Sequence, residues 1–258
     1  MSLIGEKILL MLSRKTETAD YDESVVKNIL GNSLQQLNKA FSSNFLEDIN
    51  NKVILDYGCG TGFQVVEMAL KGAKFVLGVD IREAVFQEGI KLANEYHVNE
   101  KVKFLTEVGE KYYQHFDIIV SKNSFEHYNN IQFVIALWEK IIKPEGRVYI
   151  TFCPLWYAPY GAHVSFFTKV PWVNLIFSER TVMKVRSNFR SDGAKRYEEV
   201  DGGINKMSVR KFEEVMRGSK FTLEYMNYKA VKRIGFLTKL PGVRELFINQ
   251  IDCILKKV

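Results

Sequence analysis

The stretch Val53-Ile54-Leu55-Asp56-Tyr57-Gly58-Cys59-Gly60-Thr61-Gly62-Phe63-Gln64 decides how the rest of the chain is read. Val53, Ile54 and Leu55 form an unbroken apolar run, the pattern of a strand buried on both faces of a parallel sheet. Three glycines then alternate with other residues, and Val65, Val66, Met68, Ala69 and Leu70 continue as the apolar part of a helix. A strand, a glycine turn and a helix together present free backbone N–H groups and a positive helix end to a ligand. Glycine suits the turn because a Cβ would obstruct either the tight bend or the close approach of a ligand. The spacing says more. A G-x-G-x-x-G dinucleotide fingerprint starting at Gly58 needs glycine at position 63, where Phe63 stands.

Outward from this stretch, short apolar runs alternate with amphipathic segments up to residue 152. Strands are expected at 53–56, 75–79, 102–105, 116–120 and 147–152, and helices over 63–71, 83–96, 107–114 and 131–142. That alternation predicts a doubly wound, Rossmann-like, mostly parallel α/β sheet with helices on both faces. Ligands of such sheets lie beyond the carboxyl ends of the strands, at the switch point beside the first one. Asp80 ends the second strand, and a carboxylate there can accept hydrogen bonds from both hydroxyls of a ribose. Farther on, Ser208 reads as the N-cap of a helix over 209–217, followed by strands at 221–228 and 247–255. A helix or loop is expected between those two strands.

Two segments lie outside the alternation. Residues 1–50 read as an N-terminal helical cap, with Val26, Leu30, Leu34, Leu37 and Phe41 at helical spacing and Tyr21 as a candidate lid residue. Residues 153–206 read as an insertion after strand five, folded over the ligand-binding edge. Between Phe152 and Phe177 there are eight aromatic residues, interspersed with Pro154, Pro159, Gly161 and Pro171. Such a segment either meets a hydrophobic acceptor or membrane lipid, or packs on the domain's own sheet. Its continuation carries Lys184, Arg186, Arg190, Lys195 and Arg196, which either meet phosphate or carboxylate groups or are simply solvated.

Composition narrows the class. With 47% hydrophobic and 26% charged residues the chain is an ordinary globular one, not a disordered one. The net charge of +6 is uneven: residues 1–150 hold 17 Lys+Arg against 20 Asp+Glu, and residues 151–258 hold 19 against 10. The basic second half would suit an anionic acceptor, a nucleic acid or a membrane surface. Cys59, Cys153 and Cys253 form no C-x-x-C pair and share no metal-ligand spacing with the four histidines, so no metal is expected. Reduced thiols in a cytoplasmic protein are the simplest account. The run Ile8-Leu9-Leu10-Met11-Leu12 is too short for a signal or a transmembrane span, but it could form one face of an amphipathic helix.

The form Asp-x-Gly-x-Gly-x-Gly, with Asp56 closing the strand, resembles motif I of the class I S-adenosylmethionine-dependent methyltransferases. Further segments resemble that family in the same order. They are Asp80, the Phe116-Asp117-Ile118-Ile119 pattern, Ser121-Lys122-Asn123-Ser124-Phe125-Glu126-His127 and the turn Lys143-Pro144-Glu145-Gly146-Arg147. The resemblance covers residues 53–152. It implies a seven-stranded sheet completed by an antiparallel final pair, so that 51–258 form one S-adenosylmethionine-binding domain. It also implies that S-adenosylmethionine is held by Asp56, Gly58, Cys59, Gly60, Thr61, Gly62, Phe63, Asp80, Ile81, Glu107, Ser121 and Asn123.

The implied activity is methyl transfer to a small-molecule, lipid-like or glycan-precursor acceptor, at oxygen. Such a transfer is an in-line displacement needing alignment, exclusion of water and, for a hydroxyl, a base. Imidazole titrates near neutrality, which makes His163, in the insertion, the first candidate and His127 the second. Peripheral membrane contact is compatible with this reading. Two alternatives stay open, an RNA-directed methyltransferase and an NAD-dependent Rossmann oxidoreductase. The first lacks the Asn/Asp-Pro-Pro-aromatic motif of amino-methylating enzymes, so nucleic acid is disfavoured, and the second lacks its third glycine.

Overall fold

The structure is a computed structural model that describes residues 2–14, 32–41, 44–231 and 235–257. Tyr21, Val26, Leu30 and Gly31 lie outside the described residues. Seven strands form one sheet: β1 (Val53–Tyr57), β2 (Phe75–Val79), β3 (Val102–Leu105), β4 (Phe116–Lys122), β5 (Ile142–Phe152), β6 (Phe221–Ala230) and β7 (Ile248–Lys257). Their order is β3-β2-β1-β4-β5-β7-β6. Pairing is parallel from β3 through to β5, and β7 runs antiparallel to both β5 and β6. This is the doubly wound, Rossmann-like arrangement expected, with β1 at the point where the strand order reverses.

Alternate residues of each strand feed two cores, because successive side chains point to opposite faces. On one face Leu55, Leu77, Ile119, Val148 and Ile150 meet helix α6 (Ile131–Ile141) through Trp138, and helix α9 (Val209–Arg217) through Phe212. On the other, Ile54, Val76, Ile118, Val120 and Tyr149 meet α2 (Ser33–Phe41), α3 (Phe45–Asp48), α4 (Phe63–Leu70) and α5 (Gln87–Glu95). Tyr149 carries a polar tip into this second core and donates its hydroxyl to Asp48 at 2.6 Å, while Phe41 and Phe45 pack edge-on against its ring. Asp117 is structural: its carboxylate accepts from Val53 N–H at 2.8 Å and Lys143 Nζ at 2.7 Å, fastening β4 to the starts of β1 and β5; the turn expected over 143–147 is thus part of the strand.

Several elements differ from the sequence-based expectation. The helix expected over 83–96 splits into a 3-10 turn, Glu83–Phe86, and α5. Gly89 in α5 explains the close fit there: a Cβ on it would lie 2.7 Å from Thr61 O and 3.0 Å from Gly62 Cα. Residues 107–114 contain only a single 3-10 turn, Glu110–Tyr112. Between β6 and β7 stand a 3-10 turn, Gly235–Lys239, and α10 (Arg244–Phe247).

The insertion holds α7 (Val173–Ile176), α8 (Glu179–Arg186) and a 3-10 turn, Tyr197–Glu199. Helix α8 is too short to display a period, but Ser178 caps it by accepting a hydrogen bond from Thr181 N–H. The insertion also builds a third core of its own, in which Ala162, Val164, Phe167, Val182, Val185 and Tyr197 surround Leu9 of α1 (Ser2–Met11). The N-terminal helices therefore divide, α1 joining the insertion and α2 and α3 covering the sheet.

Candidate functional site

The carboxyl ends of β1, β2 and β4 open into a cavity of about 860 Å³. Its floor is the glycine loop. Gly58, Gly60 and Gly62 all have positive φ, at +84°, +51° and +81°. Their reasons differ. A Cβ on Gly58 would fall 2.5 Å from Ser124 Cβ, and one on Gly62 would fall 2.5 Å from Phe104 Cε1, so those two glycines serve close packing. A Cβ on Gly60 would meet nothing within 4 Å, because its α-carbon faces the open cavity. Phe63 begins α4, buried, where a dinucleotide fingerprint would place its third glycine.

Carboxylates flank the loop on both sides. Asp80 is buried; its Oδ2 accepts from Gly60 N–H at 3.0 Å, and its Oδ1 accepts from Arg82 N–H at 3.1 Å and Arg82 Nε at 3.2 Å. Two carboxylate oxygens offer about four acceptor sites, so roughly one remains while Arg82 is engaged. Arg82 also reaches Asp201 of the insertion at 3.4 Å. Asp56 is held by Gln64 Nε2 at 3.3 Å, and burial pushes its carboxyl up to about 7, against the opposing effects of Lys122 and Gln64. Lys122 Nζ donates to Ser33 Oγ at 2.9 Å and Ser33 Oγ donates to Gln64 Oε1 at 3.0 Å, which ties α2 to the cavity rim.

The loop after β4 supplies the opposite wall. Ser121 is fully buried beneath it, in a hydroxyl cluster with Ser124 at 3.0 Å and Tyr128 at 2.9 Å. Tyr128 and Ser124 both donate to Tyr57 O, at 2.6 and 3.0 Å, clamping the β4 loop onto the end of β1. Asn123 has φ +50° and donates its N–H to Thr151 O at 2.7 Å. Glu126 points inward, and burial pushes its carboxyl up to about 8.

Of the residues expected to hold a cofactor, Asp56, Gly58, Cys59, Gly60, Thr61, Phe63, Asp80, Ile81 and Asn123 line this cavity. Three do not. Gly62 is turned against Phe104, Ser121 lies under the wall, and Glu107 is exposed to solvent outside the lining. Thr106 takes the lining place after β3, one residue earlier, because the chain leaves the sheet directly after Leu105. Residues that the sequence did not reveal include Tyr57, Gln64, Lys122 and Tyr128 from the domain and Val200 to Gly203 from the insertion. Lys122 stood within the singled-out segment; the insertion residues had no local signal.

A second cavity, of about 570 Å³, lies between the β4 loop and the insertion, lined by Ala162, His163, Val164, Phe166, Arg186, Arg190, Tyr197 and Ile204 among others. His127, Val200 and Asp201 border both cavities. His127 Nδ1 is 2.6 Å from Gly203 O. A carbonyl only accepts, so Nδ1 carries a hydrogen, and in the neutral ring the lone pair then lies on Nε2. His163 stands behind it, ring centroids 5.4 Å apart, with Nε2 3.3 Å from Pro154 O. It does not line the first cavity, and burial lowers its pKa to about 4, with His127 adding to the effect. Of the two histidines singled out from the sequence, His127 is the one at the junction of the cavities, and His163 lines the second alone.

The basic residues of the insertion are largely partnered internally. Arg186 makes a two-pronged pair with Asp192, Lys184 pairs with Glu6, and Arg196 pairs with Glu198. Arg190 lies over the Phe166 ring at 4.6 Å.

Comparison with known proteins places this geometry. A family model described as a methyltransferase domain matches residues 49–165. Over 107 residues the chain is 27% identical to a ubiquinone biosynthesis O-methyltransferase of Neisseria meningitidis, covering 40% of this chain and 45% of that protein. The chain thus spans about half the length of the curated relatives it matches. Among solved structures, an S-adenosylmethionine-dependent methyltransferase from Listeria monocytogenes overlays with a TM-score of 0.55 at 15% identity, over 89% of this chain and 98% of that one. Geranyl diphosphate C-methyltransferase from Streptomyces coelicolor overlays with a TM-score of 0.57 at 14% identity, over 94% and 87%. At such identities these overlays speak for the fold alone. The matched methyltransferase domain, residues 49–165, contains the glycine loop and Asp80, and the fold is the one seen in S-adenosylmethionine-dependent methyltransferases.

Proposed function

We propose that the chain transfers a methyl group from S-adenosylmethionine to a hydroxyl of a small-molecule acceptor, lipid-like or a glycan precursor, held in the second cavity. The observation that carries this reading is the meeting of two cavities at His127, one floored by the glycine loop and the other walled by the insertion. Residues present in the first cavity fit the cofactor. Gly60 leaves room for a ligand against its backbone, Asp80 offers the buried acceptor for a ribose, and Asp56 and Lys122 add polar groups to the same lining. When bound, S-adenosylmethionine supplies an activated methyl on a sulfonium. The protein's part is alignment, exclusion of water and removal of the acceptor proton.

His127 is suited to that last task, since the Gly203 carbonyl holds Nδ1 and orients the ring at the junction of the two cavities. His163 holds a neutral, buried place behind it. On this reading 51–258 form the catalytic domain, with 153–206 as its acceptor-side element, and the described helices before residue 51 cover the insertion and the sheet. The reduced cysteines suit a cytoplasmic setting. The names of the curated relatives, which act in ubiquinone biosynthesis as O-methyltransferases, support oxygen as the receiving atom. A screen of metabolite fractions with methyl-labelled cofactor tests the proposal. Label should appear in a small organic product and vanish with His127→Gln. Transfer of label to RNA only, or tight binding of NAD in place of S-adenosylhomocysteine, would overturn it.

A further inference from the structure

Helix α1 poses a physical problem that methyl transfer does not address. Leu9 is its buried apolar anchor, while Leu3 is 69%, Ile4 70% and Met11 79% exposed. Unrelieved exposure of this kind marks an interaction surface rather than an ordinary solvent face. The helix does not stand alone. A Cβ on Gly5 would touch Phe177 at 3.6 Å, and Arg14 N–H donates to Phe167 O at 2.8 Å, so α1 lies along the insertion. Next to Phe177 stands Ile176, 61% exposed. Trp172 continues the chain of contacts, donating through Nε1 to Tyr157 O at 3.0 Å and meeting the Phe247 ring at 6.3 Å. Phe247 ends α10, which is joined to the Gly235–Lys239 turn by Arg244 N–H donating to Leu240 O, and there Phe236 is 68% exposed.

The unpaired charges on this band are one-sided. Residues 153–178 carry Lys169 as their one Lys, Arg, Asp or Glu, and residues 235–243 carry Lys239. In α10 Arg244 is paired with Glu213, and Glu245 accepts from Val209 and Arg210 N–H. Helix α1 and the residues just after it carry Lys7, Arg14 and Glu6, and Glu6 is already paired with Lys184 at 2.9 Å. Lys7, Arg14, Lys169 and Lys239 are all exposed. Large apolar side chains, interfacial tryptophan and tyrosine, and unopposed lysine and arginine are the combination that binds the headgroup region of an anionic bilayer. A second copy of the chain fits less well, because a two-fold contact opposes the same patch to itself and would bring these cations together. Among the described residues no helix is long and apolar enough to cross a membrane, so the contact would lie on the surface.

We propose that the band running from α1 across Ile176 and Trp172 to Phe236 docks the protein onto the surface of an anionic lipid bilayer. This inference does not depend on the methyl-transfer reading, because its readout is partition to vesicles. The experiment is co-sedimentation of the full chain with phosphatidylcholine vesicles, with and without about one-third phosphatidylglycerol. Binding is expected on the anionic vesicles and is expected to weaken as salt is raised to about 0.5 M. The exposed triple variant Ile4→Ser, Ile176→Ser, Phe236→Ser should lose at least about tenfold in partition, and the separate pair Lys7→Gln, Lys169→Gln should lose only the anionic preference. Circular dichroism and thermal denaturation of each variant would show that it remains folded. Absence of binding to anionic vesicles would overturn the proposal, and so would binding that the triple variant leaves unchanged. A concentration-dependent dimer that the triple variant dissolves, with no lipid binding by the native chain, would assign the band to a second copy and equally overturn it.

Discussion

Substituting alanine at Gly60 and at Gly62 should separate ligand binding from folding, although both glycines belong to one motif and both have positive φ. The shared cost of a left-handed backbone is roughly 1–2 kcal/mol for a residue with a Cβ. At Gly60 the cost stops there, since the new methyl meets nothing of the protein within 4 Å. At Gly62 the methyl would fall 2.5 Å from Phe104 Cε1 and 3.2 Å from the Gly89 backbone, adding an overpacking penalty of about 1–3 kcal/mol. A chain of this size loses roughly 2–4 °C of Tm per kcal/mol. Gly60→Ala should therefore melt only a few degrees below the native chain, and Gly62→Ala several degrees lower again. Affinity should follow the opposite order. The Gly60 methyl projects into the cavity, and a clash of about 1–3 kcal/mol with a bound nucleoside corresponds to a Kd weaker by roughly five- to 150-fold. Thermal denaturation paired with isothermal titration of S-adenosylhomocysteine reads both effects. Native affinity in Gly60→Ala would refute the placement of the ligand on the glycine loop.

Other outcomes follow from the same geometry. Asp80→Ala removes the acceptor facing the loop and should weaken S-adenosylhomocysteine by about 3 kcal/mol, more than a hundredfold, whereas Arg82→Ala removes only the side-chain bond to Asp80 Oδ1, keeps the backbone one and should not weaken it; the two titrations together check the assignment. In turnover with an identified acceptor, His127→Gln should lower kcat by roughly 10²–10⁴ while cofactor affinity holds, and His163→Gln should cost less. Glu126 has a carboxyl that burial pushes up to about 8, above its ordinary 4.5. Its folded form favours the proton, so its contribution to stability is fully present below pH 4.5 and is lost as pH rises through about 8. Relative to the native chain, Glu126→Gln should therefore gain Tm progressively over that window, which denaturation scans at several pH values would show. A constant difference between the two would argue that the carboxyl titrates normally.

Much of the fold was legible because its signals are local. Val53 to Leu55 read as a doubly buried strand, Ser208 as a cap, and the alternation to residue 152 as parallel strand-helix units; each depends on neighbours a few residues away. Glu107 falls outside the cavity lining while Thr106 falls within it, because a loop after a strand has no period to set its register. The helix α8 was missed since eight residues capped by Ser178 leave too little pattern to read. His127 and His163 could not be ranked from sequence, because their difference lies in which cavity each ring faces and how deeply each is buried.

By itself, then, the sequence determined the sheet, the glycine loop and the carboxylate of Asp80, all of which sit within or directly after regular elements whose geometry follows from local spacing. Tertiary structure alone decided that Gly60 faces the open cavity while Gly58 and Gly62 face Ser124 and Phe104, that residues 200–203 return to the cavity, and that α1 packs on the insertion rather than on the sheet. Those relations join residues far apart in the chain, and they depend on burial and close packing, which no local spacing encodes.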